Sequence, residues 1–357
     1  MSVFSHSEFN DHERVVFIHN KAAGLEAIVA IHRTTLGPSL GGCRMLAYQS
    51  DDDALTDALR LSKAMSYKCA MAGLPHGGGK AVVVGDPKTD KGPALLEALA
   101  EGVEGLGGEY IIGQDSGMNV SDIAYMADRT QYIAGGGTLV GSDGKSQRVD
   151  PSPLTGLGIL GGIRAAAEAR FNSTNLSGLR VAIQGLGNVG MSLAKLLHQE
   201  GADLVVHDIQ QERVAEAVKC LGATAVKAEE IYCEKVDIFA PCALGGILND
   251  QTIPTLNCAI VAGGANNQLL EPQHGERLAD RNILFVPDYV LNAGGVILLY
   301  HSRLDSNLEQ ITQDCVRIED TVREILQVAK ETHKRPETVA DRLARQRFET
   351  SCTGEYA

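Results

Sequence analysis

Apolar and polar positions change period several times along this chain. LEAIVAIH, from Leu25 to His32, is a short β-branched run of strand character. Ala54, Leu55, Ala58, Leu59, Leu61 and Met65 then recur at steps of a helix with one apolar face. Strand character returns in AVVVG, Ala81 to Gly85, and a helix is predicted from Pro93, which suits a first turn, to Leu106, ahead of glycines. A further strand is predicted at Tyr110 to Ile112.

From Arg180 a second alternating series begins: VAIQ, a helix over Val189 to Glu200, LVVHD, a helix over Glu212 to Leu221, then VDIFA, AIVAGG and ILFV. Strands that alternate with helices imply a parallel, doubly wound sheet. Leu308, Ile311, Cys315, Ile318, Val322, Ile325 and Ala329 follow, one apolar stripe for a long packing helix. Between the two series, GGGTLVGSDGKSQRVDPSP near Ala134 to Pro153 lacks periodicity and reads as a linker or mobile loop. The domain boundary is placed there, and 357 residues suit two domains.

Composition narrows the partners. With 45 acidic against 32 basic residues the net charge is −13, which opposes binding to nucleic acid or to an anionic membrane surface. The opening MSVFSHSEF has no basic and apolar leader pattern, and no apolar run is long enough to span a bilayer, so a cytoplasmic location is expected. Eight cysteines (Cys43, Cys69, Cys220, Cys233, Cys242, Cys258, Cys315, Cys352) form no C-x-x-C pair, so neither a metal site nor a disulfide framework is expected.

RVAIQ-GLGNVG-MSLAKLL places Gly185, Gly187 and Gly190 after a predicted strand and before a predicted helix. Such glycines permit a tight turn, close approach of backbone to a pyrophosphate and close packing of helix on strand, while the free N–H groups of the helix start face the phosphates. Asp208, 23 positions beyond Gly185, ends the next strand, where a carboxylate accepts from a ribose diol. Neither Ile209 nor Gln210 is a cation that could hold a 2′-phosphate, so NAD is expected over NADP.

In the first half, Lys68 lies near the end of a predicted helix and Lys80 follows Gly77, Gly78 and Gly79. A solvated lysine titrates near 10.4, but burial beside another cation can bring it to about 7–8, where it serves as a base. The alternative is a pair of surface lysines beside a flexible glycine loop. His76 is read as a supporting or surface residue, and Cys242 as part of a turn at the cofactor rather than a nucleophile.

Lys68, GGGK ending at Lys80, Asp115 in IIGQDSG, GLGNVG, APCALGGILN, AGGANNQL and PDYVLNAGGVI together resemble the amino-acid dehydrogenases of the glutamate/leucine/phenylalanine/valine family, in order and over nearly the whole chain. Leucine dehydrogenases are the members it resembles most. The resemblance implies an α/β fold of two domains separated by a cleft: a substrate-binding, catalytic and oligomerisation domain (1–140 with C-terminal helices 325–357) and a Rossmann NAD-binding domain (141–324). It implies that Lys68 binds the α-carboxylate with help from Gly41 and Gly42, that Lys80 activates water, and that Asp115 carries protons. Asn266 would meet the substrate amino group, with Thr155 and Asn292 at the nicotinamide. Gly185, Gly187, Asn188, Val189, Gly190, Asp208, Ala240, Cys242 and Ala243 would line the cofactor.

Leu40 stands where glutamate enzymes of the family carry a lysine, so an apolar side chain is expected, lined by Leu40, Gly113, Val296 and Leu299, with Tyr300 near the end. Gly113, where leucine enzymes have alanine, suggests room for a bulkier group. Gln114 and Ser116-Gly117-Met118 also depart from the family pattern around Asp115. The expected activity is NAD-dependent oxidative deamination of leucine, valine or isoleucine. The alternatives are a phenylalanine or tryptophan dehydrogenase and a catalytically silent NAD-binding module. Small-molecule substrates and a homo-oligomer, dimer or octamer, complete the expectation.

Overall fold

A computed structural model describes residues 3–135, 139–140, 146–147, 149–304 and 306–350. Its packing divides the chain into two units: Met1–Val149 with Leu298–Leu308 and Leu343–Ala357, and Asp150–Ile297 with Glu309–Arg342. The sequence reading put the division at 140/141 and returned the chain once, at 325. Here the chain returns to the first unit twice, at 298–308 and again from 343.

The first unit is built on strands β1 (Arg14–Asn20), β2 (Leu25–Arg33), β3 (Ser39–Leu46), β4 (Gly77–Val84) and β5 (Tyr110–Gln114), with helices α1 (Asp51–Met71), α2 (Pro93–Glu104) and α3 (Val120–Met126). The sheet order is β1-β2-β4-β3-β5; β1, β2 and β4 run antiparallel in turn, and β3 is parallel to both β4 and β5. Ser50 caps α1 by accepting from the Asp53 N–H, and Asp51, Asp52 and Asp53 complement the positive end of the helix. The apolar face read from Ala54 to Met65 packs down on β2, β3 and β4, with Ala54, Ala58 and Leu59 fully buried.

The three glycines before Lys80 lie within strand β4, not in a loop. Their absent side chains are a packing requirement. A Cβ on Gly78 would sit 2.0 Å from the Ser66 amide nitrogen of α1, one on Gly77 would strike the Arg33 carbonyl, and one on Gly79 the Tyr110 ring. They let α1 and the neighbouring strands close onto β4.

A two-stranded pairing of β6 (Leu139–Val140) with β7 (Ser146–Gln147) interrupts the segment read as linker; the rest of 136–148 lies outside the described residues. The second unit opens with α4 (Pro151–Phe171), whose N-cap Asp150 accepts from Ser152 N–H. This helix was not read from the sequence, because GLGILGG imitates a loop. Its glycines instead admit neighbours: Gly158 meets Ile318, Gly161 meets Glu319, and Gly162 meets Leu291 and Val322.

Strands β8 (Arg180–Gln184), β9 (Asp203–His207), β10 (Thr224–Ala225), β11 (Ile238–Pro241), β12 (Ile260–Val261) and β13 (Leu284–Phe285) form an all-parallel sheet in the order β10-β9-β8-β11-β12-β13. This is the doubly wound dinucleotide-binding order, reversing between β8 and β11. Helices α5 (Asn188–Gln199), α6 (Gln211–Leu221), α7 (Gln273–Asp280), α8 (Asp288–Leu291), α9 (Gly294–His301), α10 (Leu308–Val316), α11 (Ile318–Thr332) and α12 (Pro336–Thr350) complete the chain. The C-terminal apolar stripe is carried by two helices, α10 and α11, broken at Arg317, and Leu308 is largely exposed.

Candidate active site

Lys80 is the fourth residue of β4, among glycines, alanine and valines, and it is 5% exposed. Its ammonium donates to Asp115 Oδ2. Burial pushes the lysine pKa down, Arg44 adds to that, and Asp115 opposes it. Burial alone would raise Asp115, but Lys80 and then Arg44 outweigh it and hold the carboxyl below its ordinary range. The result is a buried amine that is easier to deprotonate than a solvated one, in hydrogen-bond contact with a half-buried carboxylate, the residue types needed in a base and its proton carrier.

Asp115 is held at the end of β5 by a tight turn in which Asp115 N–H donates to Met118 O and Met118 N–H to Asp115 O. Gly117 has φ +81, and a side chain there would strike the Met45 carbonyl, so the Ser116-Gly117-Met118 departure is the composition this turn demands. Lys91 closes the turn from outside, donating to Gly117 O and to Asp122. Gly42 lies against Asp115, where a Cβ would be 2.8 Å from the Asp115 Cβ, and Gly41 lies against the Gly79 carbonyl. Tyr110, read from the sequence only as the start of a strand, bridges these strands: its hydroxyl donates to Gly41 O and accepts from Ala81 N–H.

Lys68 is half-buried on the last turn of α1, the helix packed on β4. Leu40 is fully buried in β3 between Gly78 and Ile111. Gly113 in β5 faces Leu299: the Leu299 methyls lie 3.3 and 3.5 Å from the Cβ position of Gly113. The room that glycine was expected to open is therefore taken by Leu299. His76 is buried, not on the surface. Its Nδ1 lies 2.8 Å from Pro38 O and its ring stands edge-on to Tyr300. Burial lowers its pKa, which leaves it neutral.

The second unit carries the residues expected at the nucleotide. Gly185, at φ +96, turns the chain from β8 into α5, and Gly187 is the N-cap. A Cβ on Gly185 would strike Ala243, and one on Gly190 the Gly185 carbonyl and Cys242. The turn is thus seated on the Cys242–Ala243 segment that follows Ala240 in β11, while Val189 and Cys242 both border Gly264. Burial raises the Cys242 thiol to about 11, so it stays protonated and packs.

Asp208 is 6% exposed and accepts from Leu186 N–H at 2.6 Å and Gln210 N–H at 2.8 Å. Arg213 lies 3.9 Å from its Oδ2, a cation beyond the two positions considered in the sequence. Asn292 donates to Asn266 Oδ1 at 2.8 Å and to Gly264 O, and Gly294 packs on the Thr155 amide, which brings Thr155, Asn266 and Asn292 to one end of the sheet. Asn292 Oδ1 is buried with no partner. Val296 is buried in α9 of the same unit, whereas Leu299 belongs to the first.

The order of the parallel sheet and the glycine turn define a dinucleotide-binding fold. Residues 12–132 match the family model of the Glu/Leu/Phe/Val dehydrogenase dimerisation domain, and 149–210 and 206–349 match that of glutamate/leucine/phenylalanine/valine dehydrogenase. The chain belongs to this family of amino-acid dehydrogenases. It is 46% identical over 350 residues to a leucine dehydrogenase of Geobacillus stearothermophilus, covering 98% of this chain and 94% of the relative. It is 44% identical over 341 residues to an L-tryptophan dehydrogenase of Nostoc punctiforme, covering 95% and 94%. A crystal structure of L-tryptophan dehydrogenase from that organism superposes with a TM-score of 0.86 at 43% identity, over 96% of this chain and 97% of the other. Among the described residues no helix is long and apolar enough to cross a membrane.

Proposed function

We propose that the protein catalyses the reversible, NAD-dependent oxidative deamination of an apolar L-amino acid, leucine, valine or isoleucine, to the 2-oxo acid, ammonia and NADH. The observation that carries this reading is the ion pair between buried Lys80 and half-buried Asp115. A structural core has no need for a lysine on an inward strand position, whereas a dry amine with a carboxylate partner is what water activation at an iminium carbon requires.

Lys68 holds the substrate carboxylate, and Asn266 accepts from the neutral amino group. NAD, when bound, supplies a hydride acceptor at C4 of its nicotinamide. The substrate Cα gives up its hydrogen with the bonding pair and becomes an iminium. Lys80, neutral after passing a proton to Asp115, removes a proton from water as the water oxygen attacks that carbon. Asp115 then protonates nitrogen and, as the C–N bond breaks and ammonia leaves, takes up the hydroxyl proton while the carbinol closes to the ketone.

Asn292 Oδ1, the buried acceptor without a partner, suits the carboxamide N–H of the nicotinamide, with Thr155 beside it. The free N–H groups of Asn188 and Val189 at the start of α5 suit the pyrophosphate. Asp208 suits the ribose diol and opposes a 2′-phosphate, an exclusion that Arg213 weakens without cancelling. Fully buried Leu40 offers no cation to a second carboxylate, whose unpaired burial costs several kcal/mol, which disfavours glutamate. Leu299 over Gly113 favours a branched aliphatic substrate. Gly113 itself supports the second reading, an aromatic substrate, since displacing Leu299 would open that wall.

We also propose a homo-oligomer, dimer or octamer, through the first unit, whose edge strand β1 carries Phe17 at 60% exposure. Formation of NADH followed by absorbance with NAD and leucine, valine, phenylalanine, tryptophan or glutamate at alkaline pH tests the assignment. The expected order puts branched-chain amino acids first and glutamate at background. Background rates with all five would contradict it.

A further inference from the structure

Arg44 stands on β3 two residues beyond Gly42, and its guanidinium spans two carboxylates. Nη1 donates to Asp57 Oδ2 at 2.9 Å, and Nη2 lies 3.4 Å from Asp115 Oδ2. Asp57, on α1, is fixed in turn by the Tyr48 hydroxyl at 2.9 Å and by Arg60 at 3.0 Å. One oxygen of Asp115 therefore faces two cations, Lys80 and Arg44, and the second is tied to the helix that bears Lys68. We propose that Arg44, anchored by Asp57, is a positioning residue for the deamination, holding the Asp115 carboxylate in line with Lys80 and keeping a second positive charge beside that lysine. This rests on the reading of Lys80 and Asp115 as base and proton carrier.

The groups around the pair give Arg44 this role by elimination. From β3 comes Cys43, whose thiol burial raises to about 12, and from β5 comes Tyr110, whose hydroxyl burial pushes further up; both stay neutral in the working range. Asp122 of α3 and Lys91, ahead of α2, neutralise one another at 2.7 Å. Helix α1 presents Asp57 and Arg60, which reach the pair only through Arg44, and carries Lys68 further along. Among the described residues Arg44 thus contacts Asp115 Oδ2 alongside Lys80, and its planar fork directs one Nη to each of two carboxylates.

A cation beside Lys80 favours its neutral form, so removing Arg44 makes the lysine harder to deprotonate. In the full-length enzyme, Arg44→Gln is expected to lower kcat/KM for leucine about tenfold, mostly through kcat, and to move the acid limb of the pH profile upward by about half a unit. Arg44→Lys should restore the position of the limb while leaving kcat low, and Asp57→Asn should move both in the same direction as Arg44→Gln by a smaller amount. Should Arg44→Gln fail to fold, judged by circular dichroism, the other two variants carry the same readouts. A uniform loss of rate at every pH with the limb unmoved would overturn the proposal. Lys80→Ala, run alongside, separates the two levels: normal turnover in Lys80→Ala removes the base assignment and this proposal with it, whereas an inactive Lys80→Ala beside an unmoved Arg44 limb removes Arg44's role alone.

Discussion

The two methyl groups of Leu299 occupy the space that a side chain on Gly113 would enter, at 3.3 and 3.5 Å from its Cβ position. A glycine that suggests a wide pocket in the sequence is covered by a leucine brought from 186 residues further along the chain. Leu299→Ala should therefore raise kcat/KM for phenylalanine or tryptophan relative to leucine by about tenfold or more, since the change removes three carbons and a single methylene in such a pocket is worth about 1–3 kcal/mol. Unchanged ratios in steady-state assays with the three amino acids would show that this wall does not face substrate.

The nucleotide site makes an independent prediction. Asp208→Ala should weaken NAD by more than it weakens NADP, because it removes both the diol acceptor and the charge that opposes a 2′-phosphate. Arg213→Ala, which removes the neighbouring cation, should weaken NADP more than NAD. Titration of each cofactor by quenching of intrinsic fluorescence would show this, and equal losses for both cofactors would mean that the pair does not touch the ribose.

Stability should depend on pH through His32. Burial, and then Arg33, lowers its pKa from 6.5 to about 3, and its Nε2 is buried without a partner. The unfolded chain takes up a proton as pH falls below about 6.5 while the folded chain does not, so stability is lost progressively from there toward about 3. The loss at pH 5 is about 2 kcal/mol. His32→Gln should be less stable than the parent at pH 7 yet lose less between pH 7 and pH 5, measured by urea denaturation; an unaltered pH dependence would assign it to other groups.

The glycines of β4 should be intolerant of any side chain. Gly78→Ala places a methyl 2.0 Å from the Ser66 amide nitrogen, backbone that has nowhere to go, so a loss of about 3 kcal/mol is expected. Gly113→Ala, whose methyl meets the ends of the Leu299 side chain at 3.3 and 3.5 Å and the Ala134 carbonyl at an ordinary 3.6 Å, should cost less than about 1 kcal/mol. Thermal melts of the two variants would show similar losses if the β4 glycines were instead a flexible loop.

The second unit was largely readable because its chemistry is local: GLGNVG must follow a strand and open a helix, and β8, α5, β9 and Asp208 fall where that spacing puts them. Helix α4 escaped because its packing surface is made of glycines, which carry the same letters as a loop. Strand β1 escaped because it is a half-exposed edge strand, and β3 because Gly41 and Gly42 break its apolar run. Lys80, Asp115 and the nucleotide turn stood out as residue types in a motif, but their partners did not. Arg44 reaches Asp115 across two parallel strands, Tyr110 ties Gly41 to Ala81, and Arg213 reaches Asp208 from within α6. Such contacts depend on strand register, which no spacing along the chain encodes.

The most direct test of the account is Lys80→Ala, assayed for leucine-dependent NADH formation and, separately, for NAD binding by calorimetry. The account predicts turnover at background with NAD affinity within about threefold of the parent, since Lys80 belongs to the first unit and the residues proposed for the nucleotide to the second. Turnover close to that of the parent would contradict it.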